Sequence, residues 1–229
     1  MRSQMVEIND WLEQADIEIS DPELASCTQV SDRSLRRVFT RGSFETGGRL
    51  FGGFWQKMKK EDRYTILIDQ EETVGLDFGQ VSVRIAYGLS RTAPPEGDLY
   101  QIGDYHEVYR EGIKKLLNSL LSSEKPLKRK PRGTADLLPP RPIEALIADI
   151  SARHTAIAPL FFTAVCHKIQ FIESSIMVAT LLRLKQEGIV GLPIHDGLVV
   201  PYRHEDKARE VMEAIALEIT GVNVPVRTD

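Results

Sequence analysis

Cysteine is scarce in this chain: Cys27 and Cys166 are the only two among 229 residues. Two thiols so far apart form neither a disulfide framework nor a zinc-binding spacing, so the expected setting is reducing and cytoplasmic. Long apolar runs are missing, which excludes a membrane-spanning helix, and the residues after Met1 lack the charged-then-apolar layout of a secretory leader. Internal repeats are absent too. The chain also has no excess of positive charge: 29 Lys and Arg stand against 33 Asp and Glu, for a net charge of −4. That balance argues against a polycationic nucleic-acid coat protein. It is compatible with an enzyme that sets acidic residues beside local basic tracks.

What is present has the composition of an ordinary globular protein, long enough for one sizeable core or two small ones. Helices are expected near 4–15 and 31–39, followed by a glycine-broken, turn-rich stretch from Gly42 to Gly53. Tyr64–Ile68 and Thr73–Asp77 are β-prone runs joined by a polar turn, and thus a hairpin. A helix is expected from Val81 to Leu89, and a second over Asp104–Leu121, where Val108, Ile113, Leu116, Leu117, Leu120 and Leu121 recur at helical spacing. The basic, proline-rich segment 123–142 reads as an exposed loop. A long helical region from Ile143 to Glu187, broken near 154–159, leads to an apolar hairpin. An amphipathic helix over His204–Thr220 and a closing strand over Val222–Val226 complete an α+β layer of sheet and helices.

Two isolated carboxylates carry the chemical signal. Asp196 sits between two apolar runs in Gly191-Leu-Pro-Ile-His-Asp-Gly-Leu-Val-Val-Pro201, and Asp77 sits in Thr73-Val-Gly-Leu-Asp-Phe-Gly-Gln-Val-Ser-Val-Arg84. Taken singly, Asp-Gly is a good hairpin turn, and Asp77 suits a helix N-cap. Taken together, two carboxylates on separate elements are what two Mg²⁺ ions need to clamp an attacking hydroxyl and a leaving pyrophosphate. Arg110 and Lys114 lie four apart on an expected helix, hence on one face, where two cations can hold a triphosphate. An exposed basic helix edge is the plainer reading of the same spacing. The basic groups Arg33-Arg36-Arg37-Arg41, Lys57-Lys59-Lys60-Arg63 and Lys125-Lys128-Arg129-Lys130-Arg132 are either solvated faces or tracks for nucleic acid.

Four of these elements resemble, in order, those of family A DNA polymerases. Leu76-Asp-Phe-Gly-Gln-Val-Ser-Val-Arg84 is similar to that family's Asp-Tyr-Ser-Gln-Ile-Glu-Leu-Arg, and His195-Asp196 to its His-Asp-Glu. Thr46-Gly-Gly-Arg-Leu50 resembles its Thr-Gly-Arg-Leu, and Arg110 and Lys114 match its Arg-x-x-x-Lys; Asp98-Leu-Tyr100 stands where the family has Asp-Ile-His. The resemblance covers approximately 43–229. It implies a polymerase palm: an antiparallel sheet with packed helices, reduced fingers and no thumb. By this reading residues 1–45 are an N-terminal helical extension, 46–90 and 143–229 the palm, and 91–142 a reduced fingers helix with its basic loop.

The resemblance implies primer extension with nucleoside triphosphates on a DNA primer-template, by two Mg²⁺ ions that Mn²⁺ can replace. Asp77 and Asp196, with the Phe78 carbonyl, hold metal; Arg110, Lys114, Gln80 and Ser82 face the nucleotide; Arg49, Arg84, Gln170 and His195 face nucleic acid, with Glu173 a further candidate beside Gln170. The departures from the family also carry implications. Ser82 replaces the Glu that excludes ribonucleotides, which implies ribonucleotide tolerance or primase-like synthesis in a plasmid- or phage-type replication system. Asn118 and Ser122 replace the fingers aromatic and Tyr-Gly positions, and Gly197 replaces the last Glu. Without a thumb, synthesis would stop after few nucleotides unless a protein partner supplied a clamp. No further acidic cluster suggests proofreading. A non-catalytic nucleic-acid-binding module of a replication assembly and a metal-dependent phosphodiesterase are the alternatives.

Overall fold

A computed structural model describes residues 1–229. Its centre is β5 (Glu71–Phe78), which pairs antiparallel with three strands: β4 (Ile66–Ile68) at its start, β7 (Gly197–Pro201) along its length and β8 (Val226–Thr228) at its end. β1 (Ile17–Ile19) extends the sheet beyond β4, and β6 (Leu192–Ile194) extends it beyond β7. The burial pattern along β7 is continuous, as expected for a strand covered on both faces. The expected hairpins 64–68/73–77 and 191–201 are both formed.

Helices cover the sheet. α6 (Cys166–Gln186) buries Ile169, Ile176, Met177, Val178, Leu181 and Leu184 around much of its circumference, which is why it runs through the centre of the helical layer. It packs against α7 (Glu205–Thr220), α3 (Val81–Leu89), α4 (Arg110–Ser122) and the first helix, α1 (Arg2–Gln14). α2 (Pro22–Cys27) is a short helix capped by Asp21, and α5 (Ile143–Arg153) precedes an irregular stretch that reaches as far as α6. One apolar core runs from Ile8 to Val226. Each fully buried Leu or Ile in it contributes roughly 1.5–3 kcal/mol relative to exposure. No helix is long and apolar enough to cross a membrane.

Several expectations are corrected. The segment 31–39 is not a helix: β2 (Leu35–Phe39) pairs with β3 (Gly47–Gly52), itself inside the stretch read as turns. The helix expected from Asp104 starts only at Arg110, after a 3-10 turn, and the closing strand is β8, four residues later than expected. Asp77 does not cap α3, because it is paired within β5; Gln80 occupies the cap position in the left-handed region.

Two buried polar side chains, Trp55 and His154, brace the elements that carry the site. The Trp55 indole N–H donates to the Pro193 carbonyl at 3.0 Å, tying the β6–β7 hairpin to the segment after β3. His154, fully buried, donates from Nε2 to the Leu99 carbonyl at 2.9 Å and accepts at Nδ1 from the Tyr87 hydroxyl at 2.8 Å. Both ring nitrogens are thereby satisfied in the neutral form, consistent with burial pushing the His154 pKa down. The contact fixes the 98–102 segment against α3.

Candidate active site

Asp77 is the exposed position between buried Leu76 and Phe78 on β5, directly opposite Gly197 of β7, and Asp196 precedes Gly197 in the β6–β7 turn. The Phe78 amide donates to the Asp196 carbonyl at 3.4 Å. Antiparallel pairing thus brings together two carboxylates that are distant in sequence. Both line a cavity of about 430 Å³ with Phe78, Gln80, Ser82, Arg49, Arg110 and Lys114.

Electrostatics mark the convergence. The Asp77 pKa is pushed up to about 6, first by desolvation, then by the negative charges of Asp196 and Asp229; Lys114 and Lys60 act in the opposite direction. The side chain is open to water in the cavity, yet protein surrounds that water on most sides, which is how an accessible carboxyl becomes poorly solvated. A divalent cation is the natural remedy for such a pair. No group of three or more His, Cys, Asp or Glu side chains converges as a metal site. Two carboxylates facing an open cavity instead fit Mg²⁺, which retains water and takes phosphate oxygens as ligands.

The cations enter from α4. Arg110 donates to Asp98 from Nε at 2.5 Å and from Nη2 at 3.3 Å, and its guanidinium lies 5.1 Å from the Tyr100 ring centroid. Asp98 also accepts from Gln80 Nε2 and from the Tyr100 amide. Burial works against the Asp98 charge, but the bonds from Arg110 and the Tyr100 amide outweigh it and hold its pKa below the usual carboxylate range. Lys114 is one turn on, about half exposed and 3.9 Å from Glu111.

Arg49 reaches the cavity from β3 and is held 2.9 Å from Glu173 of α6, which is only 3% exposed. Burial pushes the Glu173 pKa up to about 7 despite Arg49, with Asp196 and Asp77 adding to the rise. Gln170 lies in a smaller adjoining cavity of about 190 Å³ that shares Arg49, Ser82 and Asn118. Arg84 is directed elsewhere. It donates to the Asn223 carbonyl at 2.9 Å and to Gln80 Oε1 at 3.3 Å, and lines a separate cavity with Gly88 and Arg91. His195 is exposed at the turn, with its ring against Phe51.

The arginine run 33–41 is divided by strand parity. Arg37 turns inward to the Gly48 carbonyl and the Ser174 and Ser175 hydroxyls, while Arg36 faces out. Sequence reading missed Arg227 and Asp229, which β8 brings to the cavity rim. No local motif marks them; only the pairing of β8 with β5 does. It also did not anticipate that Asp98 and Arg110 would be partners, although both lay in segments it had singled out.

No protein-family model and no curated protein matches this sequence. Among solved structures, the polymerase domain of Pol1 from M. smegmatis, in complex with DNA primer-template and dNTP, aligns at a TM-score of 0.54 and 12% identity. The alignment covers 85% of this chain and 46% of that one, so the chain spans less than half the length of the structure it matches. At that identity the likeness concerns the fold: an α+β, palm-like antiparallel sheet with helices packed on it.

Proposed function

We propose that this chain is a template-directed nucleotidyltransferase, extending a primer 3′-hydroxyl with nucleoside triphosphates. The observation that carries the reading is the meeting of Asp77 and Asp196 in one cavity with Arg110 and Lys114 on its wall. The reading includes a palm formed by 46–90 and 143–229, with 91–142 as reduced fingers.

In this reading Asp77, Asp196 and the Phe78 carbonyl would hold Mg²⁺, or Mn²⁺ in its place, whose chemistry there is to neutralise the reacting phosphate and the leaving pyrophosphate. Lys114 and the free edge of the Arg110 guanidinium take the β- and γ-phosphates, so that charge accumulating on the leaving group meets fixed positive charge. Asp98 and Gln80 orient Arg110. Arg49, braced by Glu173, faces the primer terminus. Burial of Glu173 keeps that guanidinium directed along one path rather than free in solvent.

The sugar position is the finer part of the proposal. Ser82 and Asn118 both border the cavity, and Asn118 Oδ1 is buried without a hydrogen-bond partner. Ser82 stands where the similar family has Glu, and its smaller side chain leaves room in the cavity for a ribose 2′-hydroxyl and supplies a hydroxyl to bond to it. Ribonucleotides are therefore expected to be used alongside deoxyribonucleotides.

The test is a primer-extension assay with each combination of Mg²⁺ or Mn²⁺ and dNTP or NTP, beside Asp196→Asn. Extension by the wild type and none by the folded variant supports the reading. Shortened products would favour a phosphodiesterase, and template binding without incorporation under either metal would favour a non-catalytic module. Rejection of ribonucleotides by more than about a thousandfold, about 4 kcal/mol, would remove the sugar proposal alone.

A further inference from the structure

The β2–β3 ribbon exposes one face beside the cavity. Its register sets Arg36 opposite Phe51 and Val38 opposite Arg49, and strand parity puts these four on the same side. The other side is the buried one, with Leu35 and Leu50 in the core and Arg37 bound to α6. Arg49 belongs to this face and to the cavity wall at once. Phe51 is two residues, about 6.8 Å, further along the strand. Its ring, 37% exposed, stands edge-on to His195 at 6.2 Å, the residue before Asp196. The face therefore begins at the two carboxylates and leads away from them.

Its chemistry is specific. Arg36 forms no salt bridge and is exposed. At the other end of the ribbon, past Val38 and Arg49, the loop joining the strands carries Arg41 and the exposed Phe44, whose ring packs edge-on against Phe39 on the opposite side from Phe51. The Arg41 ion pair with Glu124 lies in solvent on both sides, so it contributes little and yields readily to another anion. The strands themselves contribute no carboxylate to this face; Glu45 in the loop is the nearest acid in the sequence. Arg36 and Arg49 flanking the exposed Phe51 ring match a strand whose phosphates are anionic and whose bases are unstacked. Paired bases in a duplex offer no free π-face to Phe51.

We propose that this face is a platform for an unpaired strand of nucleic acid entering or leaving the cavity, with Phe51 stacking on a base and Arg36 on a phosphate. It rests on the nucleic-acid reading of the cavity and identifies where that ligand lies outside it.

The experiment is fluorescence anisotropy of the full chain with a fluorescein-labelled oligonucleotide, single-stranded and as a duplex, across a range of salt. Phe51→Ala is expected to weaken single-strand binding at least about fivefold, Phe51→Tyr to restore it, and duplex affinity to move less. Arg36→Ala is expected to reduce the slope of log affinity against log salt by about 0.7. Circular dichroism and melting confirm that each variant is folded. Wild-type single-strand affinity in both folded alanine variants would overturn the platform while leaving the proposed activity standing if primer extension persists. Binding that depends on Phe51 in a protein that incorporates no nucleotide would overturn the activity and keep the platform. Failure of the wild type to bind either probe would overturn both.

Discussion

Arg110 presents itself to the cavity with its Nε and Nη2 already bonded to Asp98. A guanidinium has five N–H donors in a rigid fork, so this grip leaves the Nη1 edge free and fixes the plane in which it points. Asp98 is itself restrained by Gln80 and the Tyr100 amide.

Removing Asp98 should therefore affect nucleotide binding more than chemistry. Asp98→Ala leaves Arg110 charged but mobile. Charge-assisted hydrogen bonds contribute about 1.5–3 kcal/mol, so KM for the triphosphate is expected to rise about tenfold with kcat within about threefold. Steady-state kinetics check the split. Equal losses in kcat and kcat/KM would mean that Asp98 acts in the transition state rather than as a positioning residue.

Asp77 supports a second prediction, on stability without metal. A carboxyl whose folded pKa is raised binds its proton more tightly in the folded protein than in the unfolded chain. Its contribution to stability thus falls as pH rises from the ordinary 3.8 through about 6. Without divalent metal at pH 8, Asp77→Asn should be more stable than wild type by about 1 kcal/mol, after discounting for solvent screening. The advantage should vanish near pH 4. Mg²⁺ should raise the melting temperature of wild type but not of the variant. A variant less stable than wild type at pH 8 would contradict this account.

The legible parts of the molecule were those in which periodicity and chemistry agreed. The hairpin around Asp196, the β5 strand and α3, α4 and α7 follow from alternation or helical spacing, and Asp77 and Asp196 meet because β5 pairs with β7. The segment 31–39 was misread because Arg and Leu favour helices, whereas its conformation is set by pairing with β3. β3 was hidden by its own glycines. Gly52 is required there: a Cβ would fall 2.1 Å from the carbonyl oxygen of Ser34, the residue just before β2. The bonds from Arg110 to Asp98 and from Arg49 to Glu173 are long-range outcomes of packing, which no local spacing encodes.

Gly197, where the similar family has Glu, supports a third prediction. A Cβ at this position would lie 3.0 Å from the Leu76 carbonyl oxygen, 3.3 Å from Asp77 Oδ1 and 3.4 Å from the Ile194 carbonyl oxygen. Two of these neighbours are backbone in paired strands and cannot move independently. Gly197→Ala should cost about 1–3 kcal/mol and displace the Asp77 carboxylate. A urea melt at fixed pH and a Mg²⁺ titration check both effects. An unchanged midpoint would show that β5 and β7 separate more easily than their pairing implies.

Glu173 allows a test of the Arg49 brace by pH alone. Its pKa is pushed up to about 7 from an ordinary 4.5, chiefly by burial. The folded state therefore favours the protonated acid. The stability contribution of this group is fully present below pH 4.5 and is lost as pH rises through 7. Glu173→Gln removes the titration but keeps the shape and a hydrogen-bond acceptor for Arg49. The difference in unfolding free energy, variant minus wild type, should become more favourable to the variant between pH 4.5 and 7.5, by roughly 2–3 kcal/mol. Its absolute value is not the test, because the variant also loses the charge partner of Arg49; the slope is. A difference that stays flat across that range would mean Arg49 holds Glu173 ionised throughout, and that the pair acts as a fixed salt bridge rather than a buried acid beside a cation.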